Sequence, residues 1–222
     1  MIDRRGLLAG LSLGGLAAAG SPVLAAGSGD ELVNLTASAR PISKAERQER
    51  IERLQVQLAR AGLGAILIEA GSSLDYFTAI QWWRSERITA VLVPVAGEPM
   101  VVTPYFEAPS IAEMLAIPAQ IRTWNEHDNP MALVAAWLKE RKLASRPIAI
   151  EETTREFIRD GLQKALPRAR IVSGAAPVRA VRMRKSAAEI ALMQVANTIT
   201  LNAMRHAARR VQPGMTPADL NA

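Results

Sequence analysis

Only a handful of residues in this sequence could take part in chemistry. Its 222 residues include two histidines, His127 and His206, and no cysteine. The lack of cysteine excludes disulfides, thiolate metal sites and a cysteine nucleophile, and leaves the redox compartment open. His127 stands between Glu126 and Asp128, a trio that could coordinate a surface ion. A built metal site needs three or four convergent ligands, so the trio reads more simply as a polar loop ahead of a helix cap at Asn129. His206 reads as a face residue of a long helix. No nucleophile motif, P-loop or dinucleotide fingerprint is present. The glycines between positions 10 and 15 belong to an apolar leader and cradle no phosphate.

The elements that would position any site follow from hydrophobic spacing. Ser43 and Glu46 form a capping box, and Ile51, Leu54, Leu58 and Ala61 recur at helical spacing up to a stop at Gly62. Ala65 to Ile68 is a short continuous apolar run, the pattern of a strand covered on both faces. Ile88 to Val95 and Met100 to Thr103 are β-rich runs separated by Ala96-Gly97-Glu98-Pro99, which predicts an antiparallel hairpin. Beyond it the chain alternates. A helix near Ser110 to Leu115, a strand at Ile121 to Trp124, a helix capped by Asn129 with Pro130 first, and a strand at Ile148 to Ile150 are expected. A helix opened by Thr153 and Glu156 and a strand at Arg170 to Val172 complete the pattern. Strands alternating with helices, plus one hairpin, predict an α/β fold: a three-layer mixed sheet with helices on both faces.

Both ends have a different texture. Asp3, Arg4, Arg5 and Gly6 lead into an apolar run from Leu7 to Ala19, then Ser21, Pro22 and the small-residue stretch to Ala26. This is the layout of a secretory signal over residues 1–26, and the paired arginines Arg4 and Arg5 make it resemble a twin-arginine signal. The run is too short and too diluted by Gly and Ser for a membrane span. A periplasmic or secreted destination is therefore expected, with residues 27–42 as a flexible leader. At the other end, Arg179, Arg182, Arg184 and Lys185 mark 177–185 as a basic connector, and a domain boundary is placed near Ala175 to Lys185, leaving 43–176 as the α/β domain. Ser186 and Glu189 box the start of a long helix running to Pro213-Gly214, and Thr216, Pro217 and Asp219 have the makings of another helix start. One helix and a stub cannot build their own core. Residues 177–222 are read as the truncated beginning of a second domain.

The net charge of +6 would admit a nucleic-acid partner. The arginines are scattered and aromatic content is 4%, so a solvated basic surface is the reading and no nucleic acid is expected.

In their order and spacing, several segments resemble the creatinase and aminopeptidase P family of metallopeptidases. Ser72 to Thr78 looks like the family's short helix after its first strand. Trp82-Trp83-Arg84-Ser85-Glu86-Arg87 precedes the hairpin and Pro104-Tyr105-Phe106-Glu107 closes it, as in the family. Val181 to Ser186 with Glu189 and Ile190 looks like the family's approach to its catalytic domain, and Val211 to Met215 like its Pro-Gly-Met turn. The sequence departs from the pattern at Ser73, where Asn is usual, at Ala79, where Gly is common, and at Arg184, where an apolar residue is common. The resemblance implies an N-terminal mixed α/β domain that makes dimer or tetramer contacts, followed by an α+β pita-bread domain. That second domain holds two divalent metal ions (Mn, Zn or Co) and hydrolyses the peptide bond before a proline in second position. The metal-binding carboxylates and histidine of the family lie beyond the Pro-Gly-Met turn, so this chain is expected to bind no metal and to be inactive alone. The resemblance also implies that an aromatic of the N-terminal domain can reach a neighbouring subunit's active-site mouth. This makes Trp82, Trp83 and Arg87 the substrate-proximal candidates, in trans; packing at a strand entrance and a structural ion pair are their plainer roles. A creatinase-like hydrolase or lyase on a small non-peptide substrate, or a non-catalytic oligomerisation or binding module, are the other readings of the same scaffold.

Overall fold

Five of the six strands in the sheet run the same way. In the computed structural model, which describes residues 34–221, the strands are β1 (Ala65–Glu69), β2 (Ala90–Pro94), β3 (Met100–Pro104), β4 (Gln120–Trp124), β5 (Ile148–Ile150) and β6 (Ile171–Ser173). Their order is β4-β3-β2-β1-β5-β6. β2 is antiparallel to both β1 and β3, whereas β1, β5 and β6 are mutually parallel and β3 is parallel to β4. The β2–β3 hairpin turns through Gly97 at φ 85, a left-handed conformation that glycine adopts without steric cost. The expected signal segment 1–26 and the expected leader as far as 33 lie outside the described residues.

Alternation sends side chains of each central strand to two cores. On one face Ile66, Ile68, Val91, Val93 and Val101 pack under α1 (Lys44–Arg60), α2 (Ser72–Thr78), α3 (Ala108–Met114) and α6 (Ala175–Arg182). On the other face Leu67, Leu92, Met100 and Val102 pack under α4 (Pro130–Glu140) and α5 (Glu156–Ala165), with Val134, Trp137, Leu138, Ile158 and Leu162 facing them. Each such side chain removed from water contributes roughly 1.5–3 kcal/mol. The mixed three-layer α/β fold read from the sequence is the observed one.

The predicted caps form where the sequence placed them. Ser43 Oγ accepts from the Glu46 amide at 3.1 Å while Glu46 Oε2 accepts from the Ser43 amide at 2.7 Å. The Ser43 amide, and after it the Ser43 hydroxyl donating to the same oxygen at 2.9 Å, hold the Glu46 carboxyl below its ordinary pKa. Asn129 Oδ1 accepts from Met131 N at 2.9 Å, with Pro130 first in α4.

Two expectations fail, each for a physical reason. Thr153 does not open α5: its amide and hydroxyl both donate to Glu151 Oε2 at 2.7 Å. The helix begins at Glu156 with Arg155 as its flanking residue. The stretch after Ala175 is not a bare connector. It forms α6, which buries Pro177, Val178 and Val181, with Arg179 exposed and Arg182 turned in to Ser73, and the high charge density masked that apolar spacing.

Residues 35–201 form one compact unit, whereas the described residues Asn34 and 202–221 group separately. α7 runs over Ala187–Arg210 and α8 over Pro217–Asn221. α7 opens with the expected box, Ser186 N donating to Glu189 Oε2 at 2.6 Å. α8 opens with Thr216 Oγ1 donating to Asp219 Oδ2 at 2.6 Å. No helix among the described residues is long and apolar enough to cross a membrane.

Ala79 ends α2 at φ 71, a left-handed conformation that costs a residue with a Cβ roughly 1–2 kcal/mol. Ala79→Gly relieves that strain, less the entropy glycine adds to the unfolded chain, and is expected to raise stability by about 0.5–1 kcal/mol in urea titration.

Candidate functional site

Because β1, β3, β4, β5 and β6 share a direction, their C-terminal ends meet at one edge of the sheet. That edge gathers 70–71, 105–107, 125–128 and 151–155, together with the segment 82–89 that leads into β2. In open α/β sheets this is the edge where ligands bind.

Two carboxylates are buried there. Glu69 is the last residue of β1 and 2% exposed; Glu151 follows β5 and is 3% exposed. A carboxylate removed from water needs partners, and both have them. Glu69 accepts from Arg155 Nε at 2.7 Å and from the Arg155 amide at 3.0 Å, and Arg84 Nε stands 3.8 Å away. Glu151 accepts from Ser73 Oγ at 2.9 Å as well as from Thr153. Ser73 in turn accepts from Arg182 of α6 at 2.7 Å. The serine that departs from the usual Asn therefore links a buried acid to a cation.

Three of the sequence-predicted residues lie at this edge, and their surroundings differ. Trp82 is half-buried against the α1-side core. Trp83 is 91% exposed. Arg87 is held by Glu126 at 2.8 Å and by Glu86, and its guanidinium lies over the Phe106 ring at 5.5 Å. The Glu126 hydrogen bond, first among its contacts, raises the Arg87 pKa further. The export candidates Arg4 and Arg5 lie outside the described residues. Among the described residues no group of three or more His, Cys, Asp or Glu, the Glu126-His127-Asp128 trio included, is placed to hold a metal. The described residues do not fit the two-metal centre, which the resemblance places beyond the Pro-Gly-Met turn.

The edge also exposes aromatics the sequence did not flag as site residues. Tyr105 and Phe106 follow β3, and Phe157 opens α5 with Arg155 over its ring at 4.7 Å. With Trp83 they line the same side of the domain that carries the buried acids. A second feature lies among α6, the start of α7 and Tyr76: a groove of about 470 Å³ whose lining includes Ile42, Val178, Met183 and Met193. Beside it Tyr76 is flanked by Arg50 at 4.0 Å and Arg182 at 5.5 Å. Burial, and then the Glu189 carboxylate, raise the Tyr76 phenol above its ordinary pKa.

The sequence profile of the creatinase/prolidase N-terminal domain matches residues 50–184. The chain belongs to that family. This creatinase/prolidase N-terminal domain is 31% identical over 194 residues to an uncharacterized peptidase of Schizosaccharomyces pombe, covering 81% of this chain and 41% of that protein. It is 29% identical to the probable dipeptidase PepE of Mycobacterium tuberculosis over 74% of this chain and 43% of that protein. The crystal structure of dipeptidase PepE from Mycobacterium ulcerans superposes with a TM-score of 0.69 at 28% identity, covering 82% of this chain and 48% of that one. The chain thus spans less than half the length of these curated relatives, which carry peptidase and dipeptidase names.

Sequence reading missed Glu69, Glu151, Ser73 and Arg155 as a cluster. One signal was available: a charged residue closing a strand that is otherwise buried on both faces must be paired. Arg155→Met leaves the Glu69 carboxylate in the core with only the distant Arg84, and is expected to lower stability by about 3 kcal/mol in urea denaturation.

Proposed function

We propose that this domain is the N-terminal part of an exported Xaa-Pro aminopeptidase-like metallopeptidase. Its hydrolytic centre, two divalent metal ions, is held by a C-terminal pita-bread domain. The observation that carries the reading is the family membership itself, with peptidase relatives whose matched part is only 41–43% of their length. α7 supports it: Ile190, Met193, Ile199 and Leu201 are exposed along it, an apolar set that a following domain would cover. In this reading the N-terminal domain contributes oligomer contacts, and Trp83, flanked by Trp82 and Arg87, packs on a substrate side chain or proline ring at the neighbouring subunit's active-site mouth.

The chain alone is expected to give no turnover of a Xaa-Pro dipeptide with manganese, whereas the chain joined to a metal-binding catalytic portion is expected to hydrolyse it and to lose activity in EDTA. Trp83→Ala in the joined protein should raise KM roughly fivefold with little change in kcat, the loss expected of one aromatic contact. Metal-dependent hydrolysis by residues 1–222 alone would overturn the reading.

Arg4 and Arg5 before the apolar run Leu7 to Ala19 support export of the folded protein by the twin-arginine route. Replacing both by Lys is expected to leave the precursor in the cytoplasmic fraction; unchanged export would refute that route.

A further inference from the structure

The segment from Trp82 to Arg87 contains no helix or strand, and a segment of that kind at a sheet edge is ordinarily among the first parts of a domain to move. Here it is tied down from several sides. Trp82 packs against the core. Arg84 donates through Nε to the Ala70 carbonyl at 2.9 Å and through Nη2 to Thr153 Oγ1 at 2.6 Å. The Ser85 carbonyl accepts from Arg155 Nη1 at 2.5 Å, and Ser85 Oγ accepts from the Arg87 amide at 3.1 Å. Trp83 is the one side chain of this run that projects almost wholly into solvent.

Both tethering arginines converge on the same buried charge. Arg155 binds Glu69 Oε1 through its side chain and Oε2 through its backbone amide, and Arg84 also approaches Oε2. Neither can swing away without weakening the compensation of an acid that water does not reach. The cost of releasing the loop is therefore set in the core, at the end of the central strand.

We propose that Arg84 and Arg155, held by Glu69, are positioning residues for Trp83. They fix the loop backbone so that the indole keeps only its own two side-chain torsions, and the ordering cost of contact is met before any partner arrives. The inference rests on Trp83 being the contact residue at this edge, and its test is independent of what the indole touches.

The test uses the 222-residue chain labelled with 5-fluorotryptophan, with the Trp83 fluorine resonance assigned by its loss in Trp83→Phe. In Arg155→Lys, which keeps the charge but cannot hold Glu69 and the Ser85 carbonyl together, that resonance is expected to narrow. Hydrogen exchange at amides 83–87 should rise by roughly tenfold or more, while the resonance of the fully buried Trp137 stays in place. Arg84→Gln, at a half-exposed position, should produce the same pair of changes and decides the matter if Arg155→Lys proves unfolded. A folded variant with unchanged loop exchange and an unchanged Trp83 line overturns the proposal. If the loop loosens but Trp83→Ala in the chain joined to a metal-binding catalytic portion leaves KM for a Xaa-Pro dipeptide unaltered, the in-trans contact fails and the positioning role stands.

Discussion

A carboxylate shut off from water at the end of a strand must be compensated from inside the protein, and Glu69 sets that demand at the middle of this sheet. β1 is buried along its whole length, between the antiparallel β2 and the parallel β5. Its final residue can reach only groups brought to it by other segments. Arg155 meets the demand, and in doing so it fixes where α5 begins and what holds the Ser85 carbonyl. A pairing of this kind adds little net stability over an apolar replacement. Its effect is to specify one arrangement of three loops that have no regular structure to specify it.

Glu151 repeats the arrangement one strand away and carries it in another direction. Through Ser73 it meets Arg182 of α6, and Arg182 and Arg50 both lie over the Tyr76 ring. Arg50, itself buried in α1, donates to Glu189 at 2.9 Å. Polar contacts therefore run from the sheet edge to the first turn of α7, and the two carboxylates divide the labour: one organises the aromatic edge, the other the start of α7.

The parts of this architecture that depend on local patterning were legible in the sequence. The apolar runs of β1, β2, β3 and β5, the Gly97 turn, and the boxes at Ser43 and Ser186 each encode their structure within a few residues. The buried acids were not legible, because their partners lie 78 and 86 residues away. Thr153 looked like a helix cap because a threonine three residues before Glu156 has that pattern, but Glu151, two residues back, takes its amide and hydroxyl protons. Over 177–185 four basic residues among nine obscured the apolar stripe of Pro177, Val178 and Val181 that only the sheet makes sense of. Trp83 was singled out through family resemblance, while its exposure and the pinned loop beneath it belong to the fold.

Glu189 answers to two masters. One oxygen closes the box at Ser186 and the other meets Arg50 at a distance of 139 residues. A chimera joined in the basic stretch 183–185 would take its two halves of this ion pair from different parents. Parents in which either member has changed would give a hybrid with an unmatched charge in a largely closed seam, so interchangeable modules within this family are better cut ahead of α1 than at the point where the chain looks most like a linker.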